Sequence, residues 1–131
     1  MKKLLIVEDD EELHELYRAM LEGLDVEIVP AHDIQEAEGH LARMTPDLLI
    51  LDILLGDGTG DELYRHVRQD ARTLDLPVVV VSVLTEDHVR SLMDMDSLTV
   101  FLRKPFRKEH LLKAVHSGLS LSSGGQAGQG G

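Results

Sequence analysis

The sequence predicts an α/β fold: a doubly wound, five-stranded parallel sheet with helices on both faces. Two observations carry that reading. Short, uninterrupted apolar runs alternate with helix-period patterns from one end of the chain to the other, as expected of strands buried on both faces and joined by helical crossovers. Those runs end in polar or charged residues, which places chemistry at one edge of the sheet.

The first strand is Leu4-Leu5-Ile6-Val7, and it runs into Glu8-Asp9-Asp10. Leu13, Leu16, Tyr17, Met20, Leu21 and Leu24 then recur at helical spacing. Asp10, Glu11 and Glu12 stand at that helix's start, where negative charge suits the dipole. Val26 to Val29 is a short second strand, ended by Pro30. Ile34, Ala37, Leu41 and Met44 mark one face of the second helix, with Asp33 as its N-cap. Thr45-Pro46 breaks the chain before the third strand, Leu48-Leu49-Ile50-Leu51, which closes on Asp52. Gly56 to Gly60 is a glycine-rich turn, and a helix carrying Leu63 and Val67 follows. Pro77 opens the fourth strand, which ends at Ser82. Glu86 to Met93 forms a short helix with Val89, Leu92 and Met93 on its apolar face. The fifth strand, Thr99 to Leu102, leads to Lys104-Pro105, and Leu111, Leu112, Val115 and Leu119 mark the last helix. One domain over residues 1–119 is expected. Residues 120–131 are rich in Ser, Gly and Gln and can bury little, so they are expected to be a flexible tail or a linker stub.

Composition narrows the function classes. With 43% hydrophobic and 28% charged residues, the chain is ordinary for a soluble globular protein. Only 3% of residues are aromatic, so aliphatic side chains do most of the packing. The absence of cysteine excludes disulfides and thiolate metal sites and fits a reducing, cytoplasmic location. No apolar stretch approaches membrane-spanning length, and the four apolar residues after Met1-Lys2-Lys3 are too few for a signal peptide. A net charge of −11 argues against direct nucleic-acid binding.

An unpaired charge is expensive to bury, so a carboxylate closing a buried strand points to a site at the strand's mouth. Glu8, Asp9 and Asp52 would repel one another there unless a divalent cation or an ammonium intervened. Mg²⁺ takes oxygen ligands, commonly one or two carboxylates with water and a phosphate oxygen, and the fifth strand can bring Lys104 to the same rim. A carboxylate so compensated can act as nucleophile toward a phosphoryl group, giving an acyl phosphate. Asp10 is read as a helix N-terminal acid rather than a site residue. The seven histidines show no metal-ligand spacing, and His110 and His116 are read as helix-surface residues. The glycines after Asp52 lack the lysine of a phosphate-binding P-loop and are read as a turn.

Over roughly residues 2 to 118 the chain resembles the receiver domain of two-component response regulators, in the chemotaxis-regulator-like superfamily. Ile6-Val7-Glu8-Asp9, Asp52, Ser82, Phe101 and Lys104-Pro105 carry the resemblance, in order and at matching intervals. It implies a flavodoxin-like (βα)5 fold with strand order 2-1-3-4-5. It further implies that Asp52 is the phosphoacceptor, charged by a sensor histidine kinase or phosphotransfer protein. Asp9 and Asp52 would ligate Mg²⁺ or Mn²⁺, Glu8 would act through water, and Leu54 would offer its backbone carbonyl. Ser82 and Lys104 would stabilise the phosphoryl group, and Ser82 and Phe101 would form the switch. Lys104-Pro105 is the candidate cis peptide. The output would be read by a downstream protein or fused effector domain, or through a phosphorylation-dependent dimer. Such a domain is no enzyme beyond Mg²⁺-dependent self-phosphorylation and slow autodephosphorylation.

Departures from the family pattern are Gly56 for a frequent proline, Ser97-Leu98 for Gly-Ala, and Val83 for a small alanine. Val83 is expected to narrow the space for Phe101. Leu54 and Leu84, by family analogy, suggest a long-lived phosphorylated state. Among competing functions, an FMN-binding protein of similar architecture would need a phosphate-binding loop where Glu8-Asp9-Asp10 stands. An aspartyl phosphatase would carry a second Asp at position 54, which is Leu. A pseudo-receiver, acting as a phosphorylation-independent interaction module, would usually lack one of the acids or the lysine.

Overall fold

The computed structural model describes residues 1–55 and 58–130, with side chains over 1–55 and 60–121. Gly56 and Asp57 of the expected turn lie outside the described residues. The elements in order are β1 (Lys2–Val7), α1 (Glu11–Met20), β2 (Val26–Ala31), α2 (Ile34–Arg43), β3 (Leu48–Asp52), β4 (Leu54–Leu55), β5 (Gly58–Thr59), α3 (Asp61–Gln69), β6 (Val78–Ser82), α4 (Glu86–Leu92), β7 (Thr99–Arg103) and α5 (Lys108–Gly130). The main sheet is parallel throughout, in the order β2-β1-β3-β6-β7. Counted over its five strands this is the expected 2-1-3-4-5. β4 and β5 form a separate antiparallel pair, which strand periodicity did not suggest.

Successive side chains of a strand point to opposite faces, so a sheet covered on both sides needs apolar residues at every position. Leu5, Val7, Leu49, Leu51, Val78 and Val80 pack with Ala37, Leu41, Leu63, Val67 and Val89 on one face. The intervening Leu4, Ile6, Leu48, Ile50, Val79 and Val81 pack with Tyr17, Leu21, Leu111 and Val115 on the other. Gly118 of α5 lies so close to the sheet that a Cβ there would stand 2.6 Å from a Leu48 methyl. The helix starts follow capping chemistry: Asp10 accepts from the Glu12 N–H, Asp33 from that of Glu36, and Thr85 from that of His88.

Three expectations need correction. β2 does not stop at Val29 but continues through Pro30 to Ala31. It is an edge strand, where proline's missing N–H is tolerated. Leu16 and Leu24 leave the buried stripe of α1 and are exposed, because the sheet-facing positions are 14, 17 and 21 and the helix ends at Met20. Leu92, at the last position of α4, is 47% exposed, while Val89 and Met93 are buried. Ser120 and Leu121, where the tail is expected to begin, are helical and part of α5. The remainder of that tail lies outside the residues described with side chains.

Candidate functional site

Parallel strands in register deliver their carboxyl ends to one edge. Val7 pairs with Leu51, Asp52 with Val81, and Ser82 with Arg103, so Glu8, Asp9, Asp52, Ser82 and Lys104 all reach that edge. Glu8 and Asp52 are buried and Asp9 is exposed, and one oxygen of each lies within 4.8 Å of the others.

Lys104 supplies the compensating charge. Its Nζ donates to Asp52 Oδ2 at 2.5 Å and to Glu8 Oε1 at 2.8 Å. Burial by itself lowers the lysine pKa, but the bonds to Asp52 and Glu8 outweigh it and hold the ammonium above its ordinary value of 10.5. The other Glu8 oxygen, Oε2, accepts the Asp10 N–H at 3.0 Å. Two strand ends repeat one local device. The Leu54 N–H donates to Asp52 Oδ1 and the Leu84 N–H to Ser82 Oγ, each at 3.0 Å and each two residues on. Short polar side chains that bond the backbone two residues ahead turn the chain sharply after the strand. Ser82 is wholly buried, and its carbonyl accepts the Lys104 N–H at 2.8 Å. The Lys104–Pro105 peptide bond is cis.

Phe101 is half-buried and packs on the core beneath α3 and α4. Val83 is 53% exposed. Leu54 is exposed as well. His110 and His116 lie on the surface of α5, as expected.

Two residues of α1 escaped the sequence reading. His14, 1% exposed, bonds the Glu8 carbonyl oxygen through Nε2 at 2.7 Å. Tyr17, counted there only as apolar, lies beside Phe106 with ring centroids 5.7 Å apart. Burial first, and then the negative charges of Glu8 and Asp52, hold its phenol well above the ordinary 10.0. The available signal was a polar residue at position 14, in helical phase with Tyr17 and Leu21.

This donor set fits a hard divalent cation: three carboxylates converge with their oxygens close together, and Lys104 bonds two of them, Glu8 and Asp52. It offers no soft ligand, since His14 turns its Nε2 to a backbone oxygen and cysteine is absent.

The response regulator receiver domain is the family whose model matches residues 4–116. The chain is 30% identical over 116 residues to the phosphate regulon transcriptional regulatory protein PhoB of Escherichia coli (strain K12), covering 87% of this chain and 50% of that protein. It therefore spans about half the length of the regulators it matches. Among solved structures, the signal receiver domain of a histidine kinase from Syntrophus aciditrophicus aligns with a TM-score of 0.80 at 29% identity, covering 92% of this chain and 91% of that one. The Vibrio cholerae chemotaxis protein CheY4 aligns with a TM-score of 0.81 at 26% identity, covering 89% of this chain and 98% of that one.

Proposed function

Because this chain belongs to the response regulator receiver domain family, we propose that Asp52 accepts a phosphoryl group from a histidine kinase or phosphotransfer protein. An oxygen of the Asp52 carboxylate attacks phosphorus, the bond from phosphorus to the donor's histidine nitrogen breaks, and an acyl phosphate forms. Asp9 and Asp52 would hold Mg²⁺ or Mn²⁺ directly, with Glu8 acting through water and the Leu54 carbonyl completing the set. Held there, the cation would supply positive charge to offset the negative charge of the phosphoryl oxygens. Lys104 leaves its bond to Asp52 Oδ2 for a phosphoryl oxygen, and Ser82 Oγ donates to another. Ser82 and Phe101 then bias the surface of α4 and β7 toward a second arrangement. Self-phosphorylation by small donors and slow hydrolysis belong to the same reading.

One observation carries this function: Asp52, 4% exposed, has its carboxylate 2.5 Å from Lys104 Nζ at the edge where Asp9 and Glu8 converge. A phosphorylation-independent interaction module finds no support, since the acid pair, the acceptor and the lysine are all present. Relatives named as transcriptional regulators favour an output through a fused or separate effector, in the cytoplasm. Among the described residues no helix is long and apolar enough to cross a membrane.

The test is incubation with acetyl phosphate and Mg²⁺ followed by intact-mass measurement. One added phosphoryl group, lost in Asp52→Ala and without Mg²⁺, is expected. Equal labelling of Asp52→Ala overturns the assignment. A beryllofluoride complex with Phe101 unmoved overturns the switch while sparing the acceptor.

A further inference from the structure

We propose that His14 is a positioning residue for the acid pair: its Nε2–H fixes the peptide unit joining Glu8 to Asp9 and thereby the cation affinity of the site. The inference rests on the cation-binding reading given above.

A carbonyl oxygen only accepts, so at 2.7 Å from it the proton lies on His14 Nε2. That carbonyl belongs to the peptide unit that links the two acids. Glu8 is tethered at its other polar points as well: its N–H donates to the Ala31 carbonyl at 2.9 Å, and its carboxylate meets Lys104 and the Asp10 N–H. The His14 bond adds a constraint against rotation of the Glu8–Asp9 peptide plane. That rotation would swing the Asp9 carboxylate relative to Asp52.

The rest of the His14 environment is poorly explained by packing alone. Its Nδ1 is buried and has no hydrogen-bond partner among the described residues, an arrangement that carries a desolvation penalty. An apolar side chain would fill the same space without that penalty, so the Nε2 bond is the feature that accounts for a histidine here. The ring is also closed in from outside. His32 lies with its centroid 4.7 Å away and its plane tilted 52°, and is itself held by Glu11 of α1 at 2.5 Å and Glu36 of α2 at 3.2 Å. His14 is thus kept from turning out toward solvent.

Mg²⁺ titration by calorimetry of wild type, His14→Gln, His14→Met and His14→Phe tests this, with Mg²⁺-free amide spectra reporting the fold of each. Gln can place an N–H where Nε2 stands; Met and Phe keep the bulk and lose the donor. His14→Phe and His14→Met are expected to bind Mg²⁺ roughly tenfold more weakly, and His14→Gln close to wild type. Should Phe not fold, the Met and Gln pair decides. In wild type, nitrogen-correlated imidazole spectra are expected to show a protected His14 Nε2–H whose shift moves with Mg²⁺. Wild-type affinity in His14→Phe or His14→Met, affinity in His14→Gln as weak as in His14→Met, or an unprotonated Nε2 overturns the positioning role alone. A wild-type protein that takes no Mg²⁺ overturns the cation site and this inference together.

Discussion

Lys104 Nζ sits 2.5 Å from Asp52 Oδ2, joining residues 52 positions apart in the chain. The same nitrogen reaches Glu8 at 2.8 Å, so one ammonium serves two buried carboxylates while Asp9 stands beside them. Glu8 and Asp52 share this ammonium, so the stability of both is coupled to it.

Removing that ammonium leaves Glu8 and Asp52 buried without their counter-ion. Lys104→Ala is expected to lower the unfolding free energy by about 3 kcal/mol, the magnitude for breaking a buried pair from one side. Asp52→Asn relieves repulsion with Glu8 and Asp9 and is expected to raise metal-free stability. Mg²⁺ at about 100 times its Kd should stabilise wild type by about 2.7 kcal/mol and Asp52→Asn by much less. Urea unfolding with and without Mg²⁺ measures all three.

The alkaline side follows from two groups. Lys104 has its folded pKa raised above 10.5 and Tyr17 has its own raised above 10.0. In both, the folded protein retains a proton that the unfolded chain releases. The stability they contribute is complete at neutral pH and is lost as pH climbs past about 10 toward the folded values. Tyr17→Phe should flatten part of that fall, as read from urea midpoints between about pH 9 and 11.

Gly60 backs the end of β3, where Asp52 stands. A Cβ there would stand 2.7 Å from the Asp52 carbonyl oxygen and 3.2 Å from the Ile53 Cα, backbone that cannot swing aside, and the Gly60 N–H is bonded to the Ile53 carbonyl at 2.6 Å. Gly60→Ala is expected to cost about 1–3 kcal/mol, as overpacking does, and to slow labelling of Asp52. Gly39, inside α2, has no atom within 4 Å of such a Cβ, so Gly39→Ala should stabilise by up to about 1 kcal/mol. Thermal melts of the two variants should move in opposite directions.

Arg68 ties three segments together. It bonds Asp96 at 2.6 and 3.3 Å and the Leu76 carbonyl at 2.6 Å, and its guanidinium lies 5.1 Å over the Tyr64 ring. Burial would raise the Asp96 pKa, but the Arg68 and Thr99 bonds outweigh it and hold the carboxyl below its ordinary 3.8. That contribution is present above the unfolded pKa and disappears as pH falls through the folded one. Asp96 is partly exposed, so it is small. Arg68→Ala is expected to cost roughly 2 kcal/mol at pH 7, chiefly from the Leu76 carbonyl and lost packing. The variant should also show less acid sensitivity than wild type in urea midpoints measured between about pH 2 and 6.

Much of this molecule was readable before any coordinates. Leu48 to Leu51 read as a buried strand because both faces of the sheet are covered, and Asp52 stood out because burial alone could not account for it. Other features were hidden for definite reasons. Pro30 looked like a strand end because a sequence does not say which strand lies at the edge. Leu16 looked like core because it shares a helical spacing with its neighbours, yet α1 presents positions 14, 17 and 21 to the sheet. His14 escapes a sequence reading because a polar residue in phase with Tyr17 and Leu21 does not reveal which backbone oxygen it bonds.

The alternation of strands and helices, the polar groups at the strand ends and their order are all legible in the chain alone. Side-chain periodicity and the cost of buried charge are local properties of the chain. The folded arrangement settles that one ammonium is shared between Asp52 and Glu8, residues 52 and 96 positions from Lys104, and that His14 bonds the carbonyl between the acids. Those contacts depend on strand register and on how α1 and the turn after β7 lie over the sheet, which are set by the packing of the whole core.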